Sequence, residues 1–364
     1  MRIYGIFRGF PGLGRVVSGM ALLNELRETY HADIKVYTYL QGRTLLDSFG
    51  ISRSLEVDPT AGEITSLGLD PVGKVSVALI EDVLAWQPNL VMVDGEPLLI
   101  QLLGACYDPT KILALVNPGD IHNPTLPFST RTFFDRAFFS AGVAIVHGIN
   151  HGTVEDYREG ACRVYHTNTI VRQELLELER SEDCPVISCV LGGGSQCADK
   201  AFVEATVRIG VTVASIVAAM GEYTFNIYCN DQTIRDGICG EPLPDNVNVF
   251  DNFSSPTQIY RDSALVICRA GRNTIGEILY LNIPGVLIAA GNNYRTREQL
   301  ANIQKTTRAF FEGILCWDGE DADGLRQMIE QLLNRPRPDY GYVPGNKKAM
   351  AVVLGMLGVA RALP

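Results

Sequence analysis

The sequence predicts an α/β fold made of two comparable halves, on three observations. Short apolar runs rich in β-branched residues alternate with helical patterns along all 364 residues, the sign of βαβ units and parallel sheets. Those runs are nearly continuous in apolar residues rather than alternating, as strands covered on both faces are. The pattern restarts after the acidic segment ELLELERSEDCP, where Pro185 opens a second series. A chain of this length, 46% hydrophobic and 20% charged, can bury a sizeable core and is expected to divide in two.

In the first half the expected strands are RIYGIF (2–7), IKVYTY (34–39), LVMVD (90–94), KILALV (111–116) and VAIVHG (143–148). Between them GRVVSGMALLNELRE has apolar residues at helical spacing, and DPVGKVSVALIEDVLAWQP stops at Pro88 as a helix should. The second series runs VISCVLGG, FNIYCN, VNVF, ALVICRA, GVLIAA and GILCW, with helices between. The organisation expected is a domain at 1–168, a linker at 169–184, a domain at 185–345 and a closing helix at 346–364. That last stretch, NKKAMAVVLGMLGVARAL, needs a partner surface and lacks the broad cationic face of a membrane-surface helix. Open α/β sheets bind ligands beyond the carboxyl ends of their strands, so functional residues are sought there.

Composition excludes several classes. A formal charge of −10 with no basic stripe argues against a nucleic-acid partner. The apolar runs ALVICRA and VAIVHGI are strand length, short of the roughly 20 residues of a spanning helix, so no membrane span is expected. The start of the chain lacks a signal-peptide pattern, which makes the cytoplasm the expected location. Nine cysteines, an odd number, are then expected to be free thiols, and Cys184 and Cys189 lack the second pair a zinc site needs.

LGGGSQ (191–196) follows the strand VISCV and precedes a helical stretch. Glycines there admit close backbone approach, and a helix amino terminus offers N–H groups to phosphate. The spacing is neither a dinucleotide fingerprint nor a Walker loop. Thr274 with Glu277, and Thr296 with Gln299, have the capping-box spacing. From spacing alone, helix capping and ligand contact both stand.

Three motifs in order carry a resemblance. VLGGGSQ resembles the strand-loop motif of the MurG-type peptidoglycan N-acetylglucosaminyltransferases, and RAGRNTIGEILYLNIPGVLIA followed by EQLAN resembles their carboxyl-domain donor signature. HTNTIVRQELLEL (166–178) is similar to their Gly-Asn-Pro-x-Arg segment. The resemblance implies a GT-B fold, two Rossmann-like domains facing each other across a cleft. It implies an inverting, metal-independent transferase that moves a sugar from a nucleotide diphosphate, UDP by the group's habit, to an acceptor hydroxyl.

On that pattern the Gly192, Gly193 and Gly194 backbone and Ser195 would contact the diphosphate, and Arg172 would supply charge to it. Glu277 would accept from the ribose hydroxyls. Gly271, Arg272, Asn273 and Thr274 would line the sugar and phosphate, with Gln299 and Asn302 near the donor sugar and uracil around Phe250 to Phe253. The family has a small residue or Ser where this chain has Arg272 and Asn273, which leaves the donor sugar open. No cofactor is implied. A hydrolase or epimerase acting on nucleotide sugars, or a non-catalytic subunit that binds them, fits the same fold.

In the first half, QPNLVMVDGEP (87–97) resembles a segment of MurG-related transferases, whose first loop reads Gly-x-Gly-His where this chain has GLGR. Gly12, Gly14 and Glu96 would belong to the acceptor side. Arg15 stays protonated and cannot be a base, so charge stabilisation of the diphosphate is its expected role. Transfer needs a base for the acceptor hydroxyl. Asp94 is the first candidate, with Glu96, Asp120 and His122 beside it, all at strand ends. Asp94 could equally cap the turn before Gly95. His147 and His151 are four apart, but Gly148 and Asn150 argue against a helical metal pair. Phe133, Phe134, Phe138 and Phe139 in RTFFDRAFFS fit core packing, or contact with a lipid-linked acceptor. The partners expected are a nucleotide-sugar donor and a small-molecule, lipid-linked or glycan acceptor, with no nucleic acid, no membrane span, and room for peripheral membrane contact.

Overall fold

The computed structural model describes residues 1–359 except 11, 66, 151–153, 193–199, 241, 251–255 and 290–293, and it leaves out the side chains of residues 294 and 295. The backbone forms two compact units, Met1–Ile170 with Pro344–Pro364, and Val171–Val343.

The first unit is built on nine strands: β1 (Arg2–Phe7), β2 (Asp33–Tyr37), β3 (Ile64–Thr65), β4 (Gly68–Leu69), β5 (Leu90–Asp94), β6 (Ile112–Val116), β7 (Val143–Gly148), β8 (Tyr157–Glu159) and β9 (Cys162–Asn168). Seven form one sheet in the order β2-β1-β5-β6-β7-β9-β8, while β3 and β4 make a small antiparallel pair. Strands β5, β6 and β7 are buried along their whole length, which is why they read as continuous apolar runs.

The parallel registers Phe7↔Asp94 and Asp94↔Leu115 bring the carboxyl ends of β1, β5 and β6 level. The segments that follow them, with Arg8 in the loop and Arg15 in the first turn of the helix Gly14–Tyr30, Glu96, and Asp120, therefore leave the sheet at the same end. The hairpin β8–β9 turns at Gly160 with φ +59° and was not foreseen. CRVYHTN alternates between buried and exposed positions and lacks the continuous apolar signature of the inner strands.

The helix Asn346–Met356 returns to this unit. Gly345 N–H donates to Thr169 O at 2.9 Å, and Ala349, Met350, Val353 and Leu354 are buried against the helix Gly14–Tyr30 and β9. In RTFFDRAFFS, Phe138 enters the core with Phe134 and Phe139 packed on it, so core packing accounts for these three, while Phe128 at the start of the same helix is exposed.

The second unit carries β10 (Val186–Gly192), β11 (Thr224–Cys229), β12 (Val247–Phe250), β13 (Ser263–Arg269), β14 (Gly285–Ile288) and β15 (Ile314–Trp317). They form one all-parallel sheet in the order β12-β11-β10-β13-β14-β15. The register Val190↔Cys268 sets the ends of β10 and β13 side by side, so Gly192 and the turn Ala270–Gly271 emerge as neighbours.

Among the described helices, Lys200–Ala218 is long and apolar enough to cross a membrane, a feature the sequence reading overlooked. Here Phe202, Ile209, Val213, Ala214 and Val217 fill the core of the second sheet. Such burial is the ordinary reason for an apolar helix in a layered α/β domain.

Candidate donor site and strand-end carboxylates

In the second unit the sequence GEILY puts Glu277 on the inner face of the helix Arg272–Tyr280, and its side chain is 2% exposed. Arg172 donates to both of its oxygens, Nε to Oε1 at 2.7 Å and Nη2 to Oε2 at 2.8 Å. The phenol of Tyr260 donates to Oε2 at 2.6 Å. The ring of Tyr260 lies 5.9 Å from the Arg172 guanidinium carbon. Burial alone would weaken the charge on Arg172, but the Glu277 carboxylate more than offsets it and holds the guanidinium pKa well above its usual range. Burial, then the neighbouring Glu277, pushes the Tyr260 phenol well above its ordinary range.

This geometry replaces the capping reading at both sites. Gly271 is the N-cap of the helix, with φ −75° and ψ 135°, so Thr274 lies inside the first turn and Glu277 is engaged by Arg172 and Tyr260 instead. The helix Tyr294–Ala309 likewise starts before Thr296, which is therefore no N-cap. Asn302 donates from Nδ2 to Ala270 O at 3.0 Å, tying that second helix to the turn that aims the first. Gln299 is buried on the same helix, and buried Arg272 points its Nε at Asn273 Oδ1, 3.4 Å away.

Gly192 ends β10 with φ +74°, a left-handed conformation that favours glycine. A Cβ there would stand 2.8 Å from Arg269 Nη2. Arg269, last residue of β13, thus lies against the start of the glycine loop, with its guanidinium 4.8 Å from the Phe202 ring centre. It opens the motif RAGRN yet was given no role by sequence reasoning, although its place at a strand's carboxyl end was a usable signal. Gly193, Gly194, Ser195 and Phe253 lie outside the described residues, as does His151. Phe250 is 40% exposed and stacks on Tyr228 with ring centres 5.5 Å apart.

In the first unit Arg15 bridges two carboxylates. Its Nη1 donates to Asp94 Oδ1 at 2.7 Å and its Nη2 to Asp120 Oδ2 at 2.8 Å. Burial opposes the charge on Arg15, and Asp120 and Asp94 together outweigh it, so its pKa is raised well above the usual range. Arg15, expected to bring its charge to a diphosphate, is thus engaged by two carboxylates. The Asp94 side chain is fully buried and that of Asp120 is 9% exposed. His147 Nε2, buried in β7, is 3.8 Å from Asp94 Oδ2. Gly95, at φ +83°, lets the Arg15 side chain pass, since a Cβ there would stand 2.4 Å from Arg15 Cδ.

Glu96 is buried in a separate set of contacts. It accepts from Tyr39 Oη at 2.5 Å and from Leu69 N–H at 2.7 Å, with Arg8 Nε 3.4 Å away. His122 is drawn elsewhere: its backbone N–H donates to Asp135, its Nδ1 is 3.2 Å from Asp135 Oδ2, and its Nε2 is 2.9 Å from Tyr157 Oη. The glycine of GFPGLGR that the fold requires is Gly9, where a Cβ would collide with Tyr39 O at 1.7 Å. A Cβ on Gly12 would meet nothing within 4 Å, and Gly14 is the first residue of the helix.

Among the described residues no cluster of His, Cys, Asp or Glu could hold a metal ion. Asp321 and Asp323 have an Asp-x-Asp spacing, but Asp321 Oδ1 accepts from Gly324 N–H at 2.9 Å and caps the helix Ala322–Leu333.

Residues 188–343 match the glycosyltransferase family 28 C-terminal domain, nearly the whole second unit. The second unit thus carries the mark of family 28 glycosyltransferases, and the chain as a whole resembles the MurG-like proteins of GT-B fold. A curated relative from Exiguobacterium sp., a UDP-N-acetylglucosamine--N-acetylmuramyl-(pentapeptide) pyrophosphoryl-undecaprenol N-acetylglucosamine transferase, is 23% identical over 87% of this chain and 89% of its own length. Two further curated relatives of the same description are 28% and 29% identical, and this MurG-like chain spans only 39% and 40% of their length.

The crystal structure of Acinetobacter baumannii MurG superposes with a TM-score of 0.58 at 17% identity, covering 99% of both chains. A UDP-GlcNAc 2-epimerase from Neisseria meningitidis, bound to UDP-GlcNAc, superposes at 0.63 with 13% identity, covering 99% of this chain and 100% of its own. At such identities the structural likeness speaks for the fold.

Proposed function

We propose that this MurG-like chain transfers a sugar from a UDP-sugar to an acceptor hydroxyl, with inversion and without a bound metal ion. The observation that carries the reading is the strand-end constellation of the second unit. There the start of the glycine loop at Gly192 meets the Arg269 guanidinium, and the helix Arg272–Tyr280, which carries the buried Glu277, begins three residues after Arg269. Backbone N–H groups and a cation suit a leaving diphosphate, whose charge grows as the sugar departs. Glu277 suits the ribose hydroxyls. Arg172, expected on the diphosphate, is assigned instead to holding Glu277, and the diphosphate cation to Arg269.

The first unit supplies the acceptor side. The Arg15 fork donates to both Asp94 and Asp120 and so holds the two carboxylates in place. Asp120, the more exposed of the two, is assigned to take the acceptor proton, with Asp94 and Arg15 holding it in place. The names of the curated relatives make UDP-N-acetylglucosamine the first donor to try. The acceptor is a small molecule, a lipid-linked group or a glycan, and the expected setting is the cytoplasm with peripheral membrane contact.

The test is UDP release from UDP-N-acetylglucosamine and related donors across an acceptor panel, with products identified by mass spectrometry and NMR. Acceptor-dependent release with an inverted glycoside is expected. Steady release of free sugar without acceptor would replace this reading with hydrolysis. An epimerised nucleotide sugar would replace it with the activity named for the N. meningitidis neighbour.

A further inference from the structure

Glu277 has two oxygens, and its neighbours treat them differently. Among the described residues, Oε2 accepts from both Arg172 Nη2 and Tyr260 Oη, at 2.8 and 2.6 Å, while Oε1 accepts from Arg172 Nε alone, at 2.7 Å. A carboxylate oxygen has two lone-pair directions in its plane. Among the described residues, Oε2 therefore has both directions taken and Oε1 has one.

Tyr260 is itself held firmly. It is fully buried at the end of the helix Pro256–Tyr260. The carbonyl of Ile259 beside it accepts from Ser188 Oγ at 3.0 Å and Ser263 Oγ at 2.6 Å, and those two hydroxyls lie 2.7 Å apart. Its phenol is thus a fixed donor backed by strands β10 and β13.

We infer that Tyr260 is a positioning residue of the donor site, which by filling Oε2 fixes the Glu277 carboxylate so that Oε1 faces a ribose hydroxyl. This rests on the reading of Glu277 as the ribose acceptor. Without the phenol, the carboxylate keeps its Arg172 partner but has one restraint fewer on its last torsion, a broad two-fold rotor. The hydrogen bond to ribose is then shared among orientations and loses selectivity. A purely structural Tyr260 would change stability without changing which ribose is preferred.

The probes are UDP, 2′-deoxy-UDP and 3′-deoxy-UDP, measured by calorimetry on the full chain. With the wild type, at least one deoxy nucleotide is expected to bind roughly tenfold or more weakly than UDP, the span of a hydrogen bond to a charged group. In Tyr260→Phe that ratio is expected to fall to about two- or threefold, with folding checked by circular dichroism and melting. Arg172→Lys, which breaks the fork from the other side, is expected to shrink the ratio as well and serves if Tyr260→Phe does not fold.

The outcomes separate two failures. If the wild type binds all three nucleotides alike, Glu277 is not the ribose acceptor and the underlying reading fails. If it discriminates and Tyr260→Phe discriminates equally, the ribose reading stands and the role given to Tyr260 is wrong.

Discussion

Arg172 and Glu277, 105 positions apart in the chain, meet as a two-pronged ion pair, with Nε–Oε1 at 2.7 Å and Nη2–Oε2 at 2.8 Å. Both belong to the second unit, and the carboxylate is almost wholly out of water. Removing one partner of such a pair strands the other. Arg172→Ala is expected to cost about 3 kcal/mol in urea denaturation. Because each single variant strands a buried partner and the double does not, the double variant with Glu277→Ala should be less destabilised than the sum of the singles. Strict additivity would mean that the pair contributes nothing.

Gly95 sits at φ +83° with Arg15 crossing where a side chain would be. Gly95→Ala meets backbone strain of about 1–3 kcal/mol and pushes Arg15 away from Asp94. A lowered melting temperature together with a loss of turnover is expected. Normal turnover in a destabilised protein would separate the Arg15 cluster from catalysis.

Asp120→Asn removes the proposed base while leaving a side chain of the same shape. Turnover should drop by about 10²- to 10⁴-fold, with UDP affinity measured by calorimetry unchanged. Asp94→Asn, at a fully buried position bound to Arg15, should lower stability as well as turnover. If Asp94→Asn alone is inactive and Asp120→Asn is active, the base is Asp94.

Acid should weaken the first unit through His166. Burial, the largest influence, holds its pKa below the ordinary imidazole range, so the unfolded chain takes up the proton more readily than the folded one. The stabilisation is complete above the ordinary pKa and is lost as pH falls through the lowered one. Between pH 7 and 5, denaturation of the wild type should become easier with a steeper pH dependence than His166→Asn. Parallel curves for the two proteins would exclude His166 as the source.

Turnover is expected to survive EDTA, followed as UDP release before and after dialysis. Complete loss on chelation, restored by magnesium or manganese, would overturn the metal-free reading.

The strands that build both sheets could be read from the sequence because they are buried on both faces, and continuous apolar runs such as LVMVD and ALVICRA advertise that burial locally. The edge hairpin β8–β9 escaped notice because an edge strand shows water one face and loses that signature. Lys200–Ala218 escaped as a long apolar helix because its half-buried positions, such as Val203, Val207, Val211 and Ile216, carry apolar residues as its buried ones do.

Strand ends also pointed to Asp94, Glu96, Asp120 and the Gly192 loop without any contact being known. What those residues touch was a different matter. The capping-box spacing at Thr274 and Glu277 is a local pattern that the fold overrides, because Arg172 and Tyr260 reach Glu277 from distant segments. Likewise Arg15 reads as a free cation in a glycine loop until the register of β1, β5 and β6 puts two carboxylates on its nitrogens.

The sequence by itself determined the class of fold, the strand ends where function collects and the resemblance of the second unit, since each depends on residues close together in the chain. Only the tertiary structure decided the partners of the charged groups. A buried charge is satisfied by whatever folding brings within about 3 Å, and no spacing along the chain encodes that.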